Sequence, residues 1–417
     1  MLRAIHLPTA ALAAAAMVFA LGSHAPSADD ERPVPQVRAA LASSVHQLTL
    51  DDIATLSHAQ LTAEVAHSPA ALQSILDSTA PAVASTWWGG LTLATRAQLV
   101  HDVPDLIGAL DGLPAEVRVA ANRVGARERL GRLDVLLTGL VTHEDAPSAG
   151  DLEALERERA YLTKVALGLV QLYLYNPIRG SIVEMAGDPA AATGILFVVP
   201  GTNASIATFM NDDPVTSFAN WQVQHADPSA PILAFTVLAA PMPQISVDLA
   251  SGPQNNTIAT AAGADYARIV KGIDAAFPGL PTLSYEHSAG SQVGSAAEMA
   301  GARFTARFLA AGVGATDGYT TVPGTAYYAT QAKDDINRYY AGFQMGDIGY
   351  GIGPEEFPGI TIVDPGFSEK PTGTVTAMLA EGLTLHNRLF SGDGSANGTV
   401  LKDVRLLLTS LADESSG

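Results

Sequence analysis

Ser288, Asp334 and His386, in that order along the chain, are the residue types of a proton relay. A serine hydroxyl is a weak nucleophile until a base within hydrogen-bond reach takes its proton. An imidazole does this when a carboxylate holds its tautomer and orientation. Ser288 lies in Pro281-Thr-Leu-Ser-Tyr-Glu-His-Ser-Ala-Gly-Ser291, and His386 is the only histidine downstream of it. Asp334 follows the apolar stretch Ala326-Tyr-Tyr-Ala-Thr330 and is the expected acid; its neighbour Asp335 and Asp364, after Ile360–Val363, are the rivals.

A short strand, a turn of small residues and a helix would lift the serine Oγ clear of a sheet, with Gly290 letting the helix pack close behind. Such a turn usually reads Gly-x-Ser-x-Gly; here it is Glu286-His287-Ser288-Ala289-Gly290. A glutamate at that crowded position must turn its side chain away, at about 1–3 kcal/mol of local strain. It would also bring a carboxylate close enough to shift the pKa of the histidine. His287 is read as structural or pocket-lining.

Acyl transfer further needs N–H donors for the developing oxyanion, each worth roughly 10²–10³ in rate. The backbone of Ala289 is one. The other is expected from the loop after Ile195–Val199, from Thr202 or Asn203, with Asn203 alternatively binding a polar group of the substrate. Phe209, Met210 and Trp221 are expected to line an apolar acyl pocket.

The elements that must position these groups change character along the chain. Residues 1–28 hold a short polar start, the apolar run Leu7–Leu21 and small-x-Ala patterns, the layout of a cleaved secretory signal peptide, with an uncleaved N-terminal anchor as the alternative. Residues 29–35 read as a linker, 36–160 as helical, 161–412 as the catalytic domain and 413–417 as a tail. Within the helical part Asp51–Ile53 opens one helix and Ser68-Pro69 another. Leu130, Leu133, Leu137 and Leu140 recur at amphipathic spacing, and a further helix starts near Asp151. Strands are expected at 169–175, 181–185, 195–199, 232–238, 283–285, 326–330 and 360–363, and helices at 259–276, 292–310 and 401–411. Strands alternating with helices imply an α/β class with a mainly parallel sheet, whose ligands bind at the carboxyl ends of the strands.

Composition narrows the function. Of 417 residues 47% are hydrophobic and 16% charged, ample for a large core. A net charge of −19 argues against nucleic acid, which requires clustered Lys and Arg. Absence of cysteine removes disulfides, thiol nucleophiles and cysteine-bound zinc. The ten histidines are scattered, none at His-Glu-x-x-His spacing, and no glycine fingerprint for a dinucleotide or phosphate is present; no metal or cofactor is expected. Trp87, Trp88, Asp111, Arg118 and Asn122 are read as packing and pairing residues without a catalytic role.

Trp87-Trp88-Gly-Gly-Leu91 and Leu106-Ile-Gly-Ala-Leu-Asp-Gly-Leu-Pro-Ala-Glu-Val-Arg-Val-Ala-Ala-Asn122 are similar to the helical lead-in of a bacterial α/β-hydrolase family catalogued as a domain of unknown function. Gly187-Asp188-Pro189, Val199-Pro200-Gly201-Thr202, the elbow at Ser288, Asp334-Asp335-Ile336 and His386 extend the resemblance over residues 80–412. Glu286, Ala289 and the run after His386 depart from that family's pattern. The resemblance implies an α/β-hydrolase-like sheet flanked by helices, preceded by an all-helical N-terminal region, with a serine hydrolase site. The expectation is an exported enzyme cleaving a small-molecule or lipid carboxylic ester, with amides second. Alternatives are an acyltransferase using the same triad and a non-catalytic envelope or binding protein on a hydrolase scaffold.

Overall fold

A computed structural model describes residues 48–416, apart from 68, 141–148, 213, 246–251, 340–343, 346–347 and 368–373. The signal-peptide and linker expectations lie outside the described residues.

Among the described residues eight helices come first: α1 (Leu50–Thr55), α2 (His58–His67), α3 (Pro69–Ser78), α4 (Pro81–Gly90), α5 (Leu93–Asp102), α6 (Pro104–Ala109), α7 (Ala115–Leu140) and α8 (Ala149–Leu167). Prolines at the first position of α4 and α6 lose no hydrogen bond there and set the helical φ in advance. Ile53, Leu61, Ile75, Trp88, Leu99, Leu106 and Ile107 form the core of this region.

The segment 106–122 joins that region to the sheet that follows. Arg118, fully buried, donates through Nη1 to Asp111 Oδ1 at 2.8 Å and through Nε to the Gly108 carbonyl at 3.1 Å. Its guanidinium lies 4.0 Å over the ring of Tyr173 in the first strand. Asn122 Nδ2 donates to the Leu172 carbonyl at 2.9 Å, and Asp111 also pairs with Arg268. A side chain at Gly108 would collide with Asn122, so glycine there permits the junction. These residues have the structural role expected of them.

The sheet contains β1 (Gln171–Asn176), β2 (Ser181–Ala186), β3 (Gly194–Val199), β4 (Ile232–Leu238), β5 (Thr282–His287), β6 (Ala306–Ala310), β7 (Ala326–Thr330) and β8 (Thr361–Ile362), in the order β1-β2-β4-β3-β5-β6-β7-β8. β2 runs antiparallel to β1 and β4; the other pairs are parallel, giving an α/β-hydrolase-like sheet. The connecting helices are α9 (Ser217–Gln224), α10 (Asn256–Ala276), α11 (Gly290–Met299), α12 (Val375–Arg388) and α13 (Gly394–Ser416), the last broken at Asn397. Both faces are covered. Ile195, Phe197 and Val199 of β3 face a core shared with α7, α8, α10 and α11, while Leu196 and Val198 face α9 and α13. This two-sided burial is why β3 and β4 read as unbroken apolar runs.

One element expectation fails. Residues 292–310 do not form one helix: α11 stops at Met299, Gly301 turns the chain with φ +91°, and 306–310 is the strand β6. The segment is alanine-rich and Arg307 interrupts its apolar residues, so it shows no strand alternation. Pairing with both β5 and β7 decides its conformation.

Candidate active site

β5 ends at His287, Ser288 takes φ +56°, and α11 begins at Gly290. A left-handed serine is strained, and such conformations persist only where the surroundings over-determine them. Here they do. The Ser288 N–H donates to the Ala310 carbonyl at 3.0 Å, and the Ser288 carbonyl accepts from Val313 N–H at 3.2 Å and from Ser291 Oγ at 2.9 Å. A β-carbon on Gly201 would lie 2.6 Å from Ser288 Cβ, and one on Gly290 would lie 2.8 Å from the Val199 carbonyl oxygen. Two glycines therefore let the end of β3 pack directly against the turn.

His386 sits near the end of α12 with Nδ1 3.1 Å from both carboxylate oxygens of Asp335. Asp335, fully buried, also accepts the Asn337 N–H at 2.7 Å, and Asn337 Nδ2 donates to the Ala311 carbonyl at 2.7 Å. The structure thus brings Asp335, not the expected Asp334, to the histidine. The two are adjacent, and the turn after β7 directs the second one inward. Asp364 is exposed, with Oδ1 accepting the Gly366 N–H at 2.9 Å within its own loop.

His287 braces this histidine. Its Nε2 donates to the His386 carbonyl at 3.0 Å, and its ring lies 4.6 Å from that of His386 and 4.9 Å from Phe390. Burial, with His386 beside it, pushes His287 well below the usual histidine range, so it stays neutral. Since His287 precedes Ser288 in the chain, serine and His386 stand at the same end of the sheet. The Ser288 hydroxyl makes no hydrogen bond to His386 among the described residues, and both residues are only 5% exposed. Hydrogen bonds of this kind are commonly long without substrate.

The two candidates for the second oxyanion donor, Thr202 and Asn203, separate on their bonding. Asn203 N–H is used by the Pro243 carbonyl at 2.9 Å, and Asn203 Oδ1 accepts the Ile245 N–H at 2.8 Å. Asn203, with φ +67°, therefore braces its loop. Among the described residues no acceptor takes the N–H of Thr202 or of Ala289. The expected apolar pocket is not formed as a unit. Phe209 and Met210 pack on one face of the sheet, whereas Trp221 belongs to the core on the other face and stacks on His225.

Glu286 points away from the histidines. Alternation along β5 sends Ser284 and Glu286 to one face and Tyr285 and His287 to the other. Arg307 of β6 clamps Glu286 with Nε to Oε1 at 2.8 Å and Nη2 to Oε2 at 2.6 Å. Its Nη1 donates to Glu298 Oε2 at 2.6 Å, and Nη2 also reaches the Ser291 carbonyl at 3.2 Å. Ser284 Oγ donates to Glu286 at 2.7 Å, while Tyr319 and Tyr327 hydroxyls donate to Glu298. Burial pushes the Glu286 carboxyl up, opposed by Arg307 and Ser284. The Glu286 carboxylate is therefore bound by Arg307, on the sheet face opposite His287. Sequence reasoning missed Arg307 and Glu298; the available signal was an arginine inside a segment otherwise fit for burial.

No family model matches the chain. Two uncharacterized proteins of Mycobacterium tuberculosis, from two strains, are each 28% identical to it over 172 residues, covering 35% of this chain. The match spans only 26% of the length of those curated relatives. A solved α/β serine hydrolase without lid, from Xanthomonas campestris, matches over 56% of this chain and 88% of its own, with 11% identity and a TM-score of 0.28.

Proposed function

We propose that the protein is an exported serine hydrolase acting on a carboxylic ester. The observation that carries this reading is the left-handed Ser288 between β5 and α11, at the same sheet end as a histidine held by a buried aspartate. In the reaction, Ser288 Oγ attacks the ester carbonyl carbon while its proton passes to His386 Nε2. Asp335 accepts from Nδ1–H and stabilises the imidazolium. The N–H groups of Ala289 and Thr202 hold the oxyanion. Collapse expels the alcohol, which takes the proton from His386, and water then repeats the sequence on the acyl-enzyme. Export rests on the apolar run 7–21 and its cleavage pattern.

The test is labelling of the folded protein with a fluorophosphonate, together with turnover of a short-chain p-nitrophenyl ester. The expected result is a single adduct on Ser288 and loss of both signals in Ser288→Ala. Absence of an adduct from wild-type protein with native circular dichroism would reject the reading. It would favour a non-catalytic binding protein, a reading to which the low exposure of Ser288 and His386 lends weight.

A further inference from the structure

Two histidines and an aspartate with no part in the serine chemistry meet in the helical region. His58 is the first residue of α2, and His101 and Asp102 close α5. His58 Nδ1 lies 2.8 Å from Asp102 Oδ1, and His101 Nδ1 lies 3.0 Å from the same oxygen. All three ligand-type atoms fall within 4.8 Å of one another. Nothing in the sequence spacing announces this group, because its members come from helices far apart in the chain.

We propose that His58, His101 and Asp102 bind a divalent transition-metal ion of the zinc class, clipping the start of α2 to the end of α5. Two imidazole nitrogens and one carboxylate oxygen suit zinc, cobalt or nickel; calcium and magnesium prefer all-oxygen sets. Ligand bonds of about 2.0–2.1 Å in a tetrahedron place ligand atoms about 3.3 Å apart. The two nitrogen–oxygen separations, 2.8 and 3.0 Å, need to widen by only a few tenths of an ångström to reach that spacing. Water completes the coordination, since His58 and His101 side chains are 65% and 75% exposed and one side of the group is open.

The environment of Asp102 gives independent support. Its side chain is 5% exposed, and Oδ2 is buried without a hydrogen bond among the described residues; Gln98 favours the anion without bonding that atom. The two imidazole nitrogens reach one oxygen only, whereas a dication would offset the charge of the whole buried carboxylate. The bland alternative is a carboxylate that simply accepts from two imidazoles at a helix C-terminus.

The experiment uses the full mature chain stripped with chelator and titrated with Co²⁺, then Zn²⁺. One equivalent of Co²⁺ should give visible d–d bands of four-coordinate intensity, displaced by one equivalent of Zn²⁺, and Zn²⁺ should raise the melting temperature. His58→Gln/His101→Gln, whose altered side chains are exposed and leave the core intact, should lose the bands and the Zn²⁺-induced shift while keeping the native circular dichroism. No stoichiometric binding by wild type, or binding unchanged in the double variant, overturns the proposal and leaves Asp102 as a plain acceptor. Ester turnover plays no part in this readout, so failure here is distinct from failure of the hydrolase reading.

Discussion

Glu286 occupies the space that a side chain at Gly294 would need. Two residues before Ser288, where a small residue is usual, this chain carries a long buried carboxylate, and the helix behind it is hollowed by glycine to receive it. Arg307 completes the exchange by gripping both carboxylate oxygens. The departure in the motif is thus matched by compensating residues on a neighbouring helix and strand.

Arg307→Met should be strongly destabilising. It leaves Glu286 and Glu298 buried without their cation, and breaking a buried pair in this way costs about 3–5 kcal/mol. Urea unfolding followed by circular dichroism measures it. Glu286→Gln, which keeps the acceptor oxygen for Arg307, should cost clearly less. Equal losses in the two variants would overturn this ranking and show that the Glu286 charge itself, not the hydrogen bond, holds the clamp.

The acid assignment separates two adjacent residues. Asp335→Asn should lower kcat for a p-nitrophenyl ester by about 10⁴-fold, the size of effect seen when an orienting carboxylate is removed. Asp334→Asn should stay within a few-fold of wild type. The opposite ranking would return Asp334 to the role expected from sequence.

At Asn203 the demand is on the backbone. A non-glycine residue in the left-handed region costs about 1–2 kcal/mol unless its side chain compensates. Asn203→Ala loses the bond to Ile245 N–H and keeps the strain, whereas Asn203→Gly loses the bond and removes the strain. Thermal unfolding should therefore find the alanine variant less stable than the glycine variant, by about 1 kcal/mol.

Glu184 predicts a pH dependence of stability. Burial pushes its carboxyl up to about 7, against a hydrogen bond from Tyr161 Oη that pulls the other way. The unfolded chain loses this proton near the ordinary glutamate value of about 4.3. Between these limits the native state holds more protons than the unfolded one, so stability falls as pH rises from about 4.3 to about 7. The contribution is fully lost above the folded value. Because the side chain is partly accessible, the expected loss is about 1–3 kcal/mol. Comparing urea midpoints at pH 5 and pH 8 checks it. Glu184→Gln, which still accepts from Tyr161, should flatten the difference.

Local order determined much of what the sequence revealed. β3 and β4 were legible because strands buried on both faces are continuous apolar runs, and the turn at Ser288 because small residues must follow a strand there. β6 was not, since an alanine-rich segment with an arginine has no local preference and is made a strand by its two neighbours. The choice between Asp334 and Asp335 turned on the direction of one turn after β7, and adjacent residues differ there only in which way they face. The partner of Glu286 and the meeting of His58 with Asp102 depended wholly on tertiary structure. Side chains from separate strands and helices become neighbours only when packing fixes the elements against each other, and no spacing along the chain records that distance.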